Sequence, residues 1–238
     1  MFEKTTYRPD FYNQMDKNSQ MSVQVILDVL FKTVPSPKSV IDVGAGVGSW
    51  VKALTMHGCK RVIAVEGEWV KNAHLQVPLD VYHLHNLEKP LRMAEKFDLA
   101  ISLEVAEHLS ERRALSFIED LTLLADIVLF SAAIPGQGGT RHINEQWQQY
   151  WVDLFRERRF ECFDIIRPHI WDDDRVRFEY RQNMLVFVRQ NVAENLGLLR
   201  TSPLIASVIH PHIARNWGPG IKIAWKFLWK AIMRRMRK

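Results

Sequence analysis

Apolar residues along this chain fall into two alternating patterns. Short runs dense in Val, Ile, Leu and Phe recur at Ser39–Val43, Arg61–Glu66, Val81–Leu84, Phe97–Ser102 and Ile127–Ala132. Runs of that length between turn residues predict buried strands. Helical spacing of apolar positions marks Met21–Lys32, which Pro35 and Pro37 end, and marks Glu111–Leu124 most clearly. Asn144–Arg159 reads as a further helix, with Asn144 as its N-cap and Trp147, Tyr150, Trp151, Leu154 and Phe155 on one face. Two last strands are predicted at Cys162–Ile166 and Asn183–Val188. This alternation of strand and helix predicts an α/β, doubly wound, mostly parallel sheet. No internal repeat interrupts it.

Beyond Arg189 the pattern breaks. Pro203, Pro211 and Pro219 punctuate the chain, so residues 1–190 read as the folded domain and 191–220 as a linker or strap. Residues 221–238, IKIAWKFLWKAIMRRMRK, carry Lys222, Lys226, Lys230 and Arg234 at four-residue spacing, with Trp225, Phe227, Leu228, Trp229, Ile232 and Met233 filling most of the rest. A helix this basic, apolar and Trp-rich suits a membrane interface, or docking on its own domain or on a second subunit with the lysines snorkelling.

Charge sharpens the distinction. The whole chain of 238 residues has a net charge of +5, and the seven basic residues of 221–238 leave about −2 for everything before them. A body that is not basic lacks a broad nucleic-acid footprint. Hydrophobic residues at 47% and charged residues at 25% exclude wholesale disorder. Cys59 and Cys162 have no metal-ligand spacing and read as buried thiols. The N-terminal MFEKTTYRPD lacks the apolar core of a secretion signal, and no apolar run reaches the roughly 20 residues of a bilayer span. The expectation is a cytoplasmic protein, peripheral on the inner membrane face through its tail.

The first strand runs into SVIDVGAGVG, with Asp42 followed by Gly44, Gly46 and Gly48, and the second ends at Glu66. The glycines allow a sharp turn and close approach of a ligand, and a strand-end carboxylate can accept hydrogen bonds from ribose hydroxyls. A dinucleotide fingerprint wants Gly or Ala three positions after its second Gly and holds a pyrophosphate. Here that position is Ser49, and Asp42 suits a ligand bearing an ammonium and a sulfonium. The motif therefore points to S-adenosylmethionine. From about Phe11 to about Arg189 the chain resembles a class I S-adenosylmethionine-dependent methyltransferase. That resemblance implies a Rossmann-like seven-stranded sheet with a reversed C-terminal hairpin. It also implies cofactor contacts for Asp42, Gly44, Gly46, Gly48 and Glu66, for Asn86 beside the adenine where relatives usually carry Asp, and for Ser102, Leu103 and Glu104 after the fourth strand.

Glu104-Val105-Ala106-Glu107-His108 concentrates titratable groups after that strand. The E-x-x-E-H spacing resembles that of methyltransferases for quinone precursors and for the terminal ribose of small RNAs. In those families the element holds a divalent metal, which here implies Glu104, Glu107, His108 and His142 as ligands for Mg²⁺ or Mn²⁺. Two other roles fit the same residues: His108 or His142 as a metal-free base, and Glu104 as a shaper of the cofactor pocket with Glu107 and His108 supporting a helix. SAAIPGQGGTRHINEQW offers Gln137, Arg141, His142, Asn144 and Glu145 from a glycine-rich loop, read as an acceptor-binding lid. In IWDDDRVRFEYRQN, Trp171, Arg175, Arg177, Tyr180 and Arg181 either contact a polar acceptor or form a solvated loop with Asp172, Asp173 and Asp174. Tyr12 and Gln20 are read as covering the cofactor.

The expected activity is O-methylation of a glycan or lipid-linked saccharide, with small-molecule or saccharide acceptors and no nucleic acid. The alternatives are a ribose, a lipid-soluble phenol, or a non-enzymatic membrane-associated module on the same fold.

Overall fold

The computed structural model describes residues 21–198 and 206–216. Tyr12, Gln20 and the basic segment 221–238 lie outside the described residues, as does part of the strap predicted at 191–220. The chain divides into two units, Met1–Val208 and Ile209–Lys238. In the described part of the second unit stands one short helix, Pro211–Asn216, α8 in the numbering used below.

Seven strands form one sheet in the order β3-β2-β1-β4-β5-β7-β6. They are β1 Ser39–Val43, β2 Arg61–Glu66, β3 Tyr82–Leu84, β4 Leu99–Leu103, β5 Ile127–Ser131, β6 Phe160–Phe163 and β7 Leu185–Arg189. The first five run parallel, while β7 lies antiparallel to both β5 and β6. The fold is thus an α/β, Rossmann-like sheet with a reversed C-terminal hairpin, as expected. Among the described residues no helix is long and apolar enough to cross a membrane.

Side chains alternate across the sheet and supply two cores. Ile41, Val43, Ala100, Val128, Phe130 and Phe187 face α3 (Ala114–Leu124) and α4 (Gln148–Glu157), burying Phe117, Ile118, Trp151 and Phe155. Phe155 stacks on Phe187 with centroids 3.8 Å apart. Val40, Ile101, Leu129, Val186 and Val188 face the opposite way, against α1 (residues 21–30), α2 (Ser49–Met56) and α6 (Phe178–Asn183). There Trp50 donates its indole N–H to the Tyr180 hydroxyl at 3.3 Å. Both cysteines are buried free thiols; Cys59 donates to the Pro37 carbonyl, and burial pushes Cys162 up to about 12.

Three boundaries depart from expectation. β6 spans Phe160–Phe163, not Cys162–Ile166, because Asp164 turns to meet Arg167 in a two-pronged ion pair that opens α5 (Arg167–Ile170). Asn183 ends α6, so β7 starts only at Leu185. The helix after β5 begins at Gln148 with Trp147 at its N-cap position, and Asn144 does not cap it: its Oδ1 accepts the Gln146 side-chain amide at 3.0 Å. Trp147, expected on the buried face, is 39% exposed, and Gln148 and Val152 are buried in its place.

The end of the first unit is strapped to the body. Buried Arg167 donates to the carbonyls of Gln182 and Ala206, and Gln182 donates to that of Val208. After β7 the chain forms α7, Gln190–Asn195.

Candidate active site

A cavity of about 970 Å³ opens at the carboxyl ends of the parallel strands, where the sheet order reverses between β1 and β4. Open α/β sheets bind ligands at such a switch point. Each strand end contributes: Gly44 and Gly46 after β1, Glu66 to Trp69 after β2, Leu84 to Glu88 after β3, and Glu104, Val105 and His108 after β4. Arg141, from the loop after β5, completes the wall.

The glycine loop is shaped by two requirements. At Gly44 (φ +87) an added Cβ would stand 2.2 Å from a Val105 methyl, so only a hydrogen side chain permits this packing of the β1 loop on the β4 loop. Gly46 (φ +55) has open space before it, leaving the backbone accessible from the cavity. Two partners hold Gly46: its N–H donates to Glu66 Oε2 at 3.0 Å, and its carbonyl accepts the Tyr82 hydroxyl at 3.0 Å. The other Glu66 oxygen accepts the Gly67 N–H at 2.8 Å and the Trp69 indole N–H at 3.1 Å. Asp42 is buried on the same sheet face as Val40, and its Oδ2 has no partner among the described residues. Burial, with the charge of Glu66 second, raises its pKa to about 8.

Beyond β4 the backbone is strained. Glu104 takes φ +56, a left-handed conformation costly for a non-glycine residue, and its N–H is anchored on the Ser131 carbonyl at 3.0 Å. Its carboxylate accepts from Asn183 at 3.1 Å and Gln137 at 2.9 Å, and burial raises its pKa. Glu107 is fully buried, and neither carboxylate oxygen has a hydrogen-bond partner among the described residues. Burial, reinforced by the neighbouring Glu104, pushes Glu107 up to about 9. Its carbonyl accepts the N–H groups of Ile143 (2.9 Å) and Asn144 (3.0 Å), which seats the β5–α4 loop on the β4–α3 turn. His142 is thereby brought against His108, with ring centroids 4.9 Å apart and planes at 84°. One ligand atom from each of Glu107, His108 and His142 lies within 4.8 Å of the others. Burial and the adjacent His142 lower the pKa of His108.

A family model described as a methyltransferase domain matches residues 15–169. The chain belongs to the class I S-adenosylmethionine-dependent methyltransferases. Solved structures agree in fold. An O-methyltransferase family protein from Burkholderia thailandensis matches with TM-score 0.54 at 14% identity, over 75% of this chain and 58% of its own. The methyltransferase domain of the bacterial protein CtHen1-CN matches with TM-score 0.51 at 19% identity, over 71% of this chain and 98% of its own. Magnesium protoporphyrin IX methyltransferase from Synechocystis PCC 6803, solved with S-adenosylhomocysteine, matches with TM-score 0.50 at 18% identity, over 79% of this chain and 90% of its own. The chain thus spans less than two thirds of the Burkholderia protein's length. No curated protein sequence matches it.

Within this methyltransferase, Gly44, Gly46, Glu66, Asn86, Glu104 and His108 line the cavity. Asp42, Gly48, Ser102, Leu103 and His142 do not, although Gly48 (φ +90) starts α2 and His142 touches His108. Asn86 engages its own turn, accepting the Glu88 N–H at 3.0 Å. The arginines of residues 170–183 pair locally, Arg175 with Asp173, Arg177 with Glu179 and Arg181 with Asp174. Three residues of the site escape sequence reasoning. Trp69 follows Glu66 by three positions but sits in a polar turn, Tyr82 reads as an ordinary strand residue, and Asn183 meets Glu104 across 79 residues of chain.

Proposed function

We propose that this methyltransferase transfers the methyl group of S-adenosylmethionine to a hydroxyl oxygen of a saccharide or lipid-linked saccharide acceptor. Gly44 and Gly46 admit the methionine end, Gly48 and α2 support that loop, and Asp42 supplies a countercharge to the ammonium. Glu66 accepts from the ribose hydroxyls and Asn86 borders the adenine, while Glu104 borders the methionine, with Ser102 and Leu103 leading up to it at the end of β4. The methyl moves in line: its bond to sulfur breaks as its bond to the acceptor oxygen forms, and S-adenosylhomocysteine leaves.

A hydroxyl is a weak nucleophile until its proton is taken. His108, on the cavity wall, and His142, packed against it, are the bases at hand. Their neutral form is favoured at His108, where burial opposes a positive charge. The observation that carries the reading is this pair of imidazoles at the cavity that the glycine loop and Glu66 line.

The same residues fit a divalent cation. Glu107 offers a buried carboxylate that meets no hydrogen-bond donor side chain among the described residues, and His108 and His142 offer ring nitrogens close by. Glu104 stands outside that set, with both oxygens engaged by Gln137 and Asn183. A bound Mg²⁺ or Mn²⁺ would lower the pKa of an acceptor hydroxyl.

Support for a saccharide made at a membrane comes from the basic, Trp-rich segment 221–238, and the net charge of about −2 for the rest of the chain weighs against RNA. The test is transfer of labelled methyl into fractionated host extract, with and without chelator. Label in a glycolipid or saccharide fraction is expected. Label confined to RNA or to a phenol would replace the acceptor, and insensitivity to chelator would leave the imidazoles as bases without a metal.

A further inference from the structure

We propose that the loop of residues 136–145 holds His108 and His142 in one shared tautomer, with the proton on Nδ1, and that Glu145 is the positioning residue that does so for His142. The consequence is that both Nε2 atoms present lone pairs. The inference rests on the reading of these imidazoles as the proton-accepting or cation-holding groups of the site.

The partners dictate the tautomers. His108 Nδ1 lies 3.3 Å from the carbonyl oxygen of Arg141. A carbonyl has no proton to give, so the ring nitrogen is the donor. His142 Nδ1 lies 2.9 Å from Glu145 Oε1, and an ionised carboxylate likewise only accepts. A neutral imidazole carries one N–H, so in each ring Nε2 is the unprotonated nitrogen. Neither ring can then donate to the other through Nε2, which explains how two imidazoles pack edge to face without competing for a proton.

Three features of the loop make this arrangement rigid. Glu145 is fixed at both ends of its carboxylate, since Oε2 accepts the Gly136 N–H at 2.8 Å while Oε1 meets His142. The ring of His142 lies over Gly139, where a Cβ would stand 2.2 Å from Nε2. Arg141 takes φ +63, a conformation unfavourable for any side chain but glycine, and in it offers its carbonyl to His108. Strain at Arg141 and bareness at Gly139 are therefore two sides of one construction, which sets the imidazoles from the loop and not from the sheet. A carboxylate behind a histidine is the usual means of fixing which nitrogen faces the chemistry.

The test is long-range proton–nitrogen correlation on the imidazoles of uniformly ¹⁵N-labelled full-length protein, with His108 and His142 assigned from His108→Gln and His142→Gln. Both rings of the wild type are expected to show a protonated Nδ1 and an unprotonated Nε2. Glu145→Ala should shift His142 to the opposite tautomer or to a mixture and leave His108 unmoved. Glu145→Gln, whose amide oxygen can still accept, should restore the wild-type pattern. A wild-type His142 protonated on Nε2, or a His142 signal unmoved by Glu145→Ala, overturns the proposal; the first of these needs no variant to fold. Calorimetric titration of S-adenosylmethionine into the same samples separates the two readings. Cofactor binding with a wrong tautomer defeats only the loop's role, whereas correct tautomers without cofactor binding defeat the methyltransferase reading.

Discussion

Asp42 shows how one buried carboxyl group ties stability to pH. Its pKa of about 8 stands far above the ordinary value of 3.8. The unfolded chain releases this proton near pH 4 and the folded protein only near pH 8, so between them the folded state holds more protons and stability falls as pH rises. The contribution is complete below pH 4 and gone above 8, with a limiting slope of about 1.4 kcal/mol per pH unit. Asp42→Asn should therefore melt close to wild type at pH 4 and several degrees above it at pH 8 without cofactor, while binding S-adenosylmethionine about tenfold or more weakly for want of a countercharge. Calorimetric melting from pH 4 to 9 checks the first part, and parallel curves for the two proteins would refute it. The glycines divide differently. Gly46→Ala faces open space at φ +55 and should cost on the order of 1–2 kcal/mol while crowding the cofactor, whereas Gly44→Ala meets Val105 and should lose both fold and binding. Binding isotherms beside melting curves distinguish the pair. The positive-φ turn through Gly44, Gly46 and Gly48 was legible because it depends on residues adjacent in the chain, whereas the Val105 methyl behind Gly44 was not. The amide partners of Glu104 were not, since nothing local to Asn183 announces a contact 79 residues away.

Among elements, β1 and β2 match their predicted bounds because each is an uninterrupted apolar run closed by turn residues. β6 does not. Its start at Phe160 depends on register against Arg189, whose guanidinium lies 4.6 Å from the Phe160 ring, and its end depends on the Asp164–Arg167 pair. Neither is visible to a periodicity argument, and Ile165 and Ile166 continue the apolar run past the true strand end. Arg167 also joins elements: its side chain is 1% exposed, and it meets Asp164, the end of α6 through Gln182, and the strap through Ala206. Arg167→Ala removes the cation facing buried Asp164 and the donor to two carbonyls, those of Gln182 and Ala206. Loss of one member of a buried pair typically costs about 3–5 kcal/mol. Denaturant unfolding at neutral pH should show that loss as an earlier midpoint with an unchanged slope. A midpoint within error of wild type would mean that the strap contributes nothing to holding α5 and α6.

For the whole molecule, the doubly wound, mostly parallel character of the sheet was readable from the alternation of strand and helix, and the reversed direction of its last hairpin only from family resemblance. Charge is the property that the fold does least to explain. Seven basic residues in 221–238 stand against about −2 for the preceding chain. A cationic residue near an anionic leaflet is worth about 1 kcal/mol, and that attraction decays within a Debye length of about 8–10 Å at ordinary ionic strength. If the segment carries the protein to membranes, full-length protein should sediment with vesicles containing anionic lipid and far less with neutral ones, and should come off as salt is raised. A chain ending at residue 220 should stay in the supernatant while keeping its affinity for S-adenosylmethionine. Equal sedimentation of both chains would locate membrane attachment elsewhere. Sedimentation of neither, with a concentration-dependent change of mass only in the longer chain, would assign the segment to association between copies. In that outcome a membrane-made saccharide acceptor loses its main support, while methyl transfer to oxygen, which rests on the imidazoles and the cavity, is untouched.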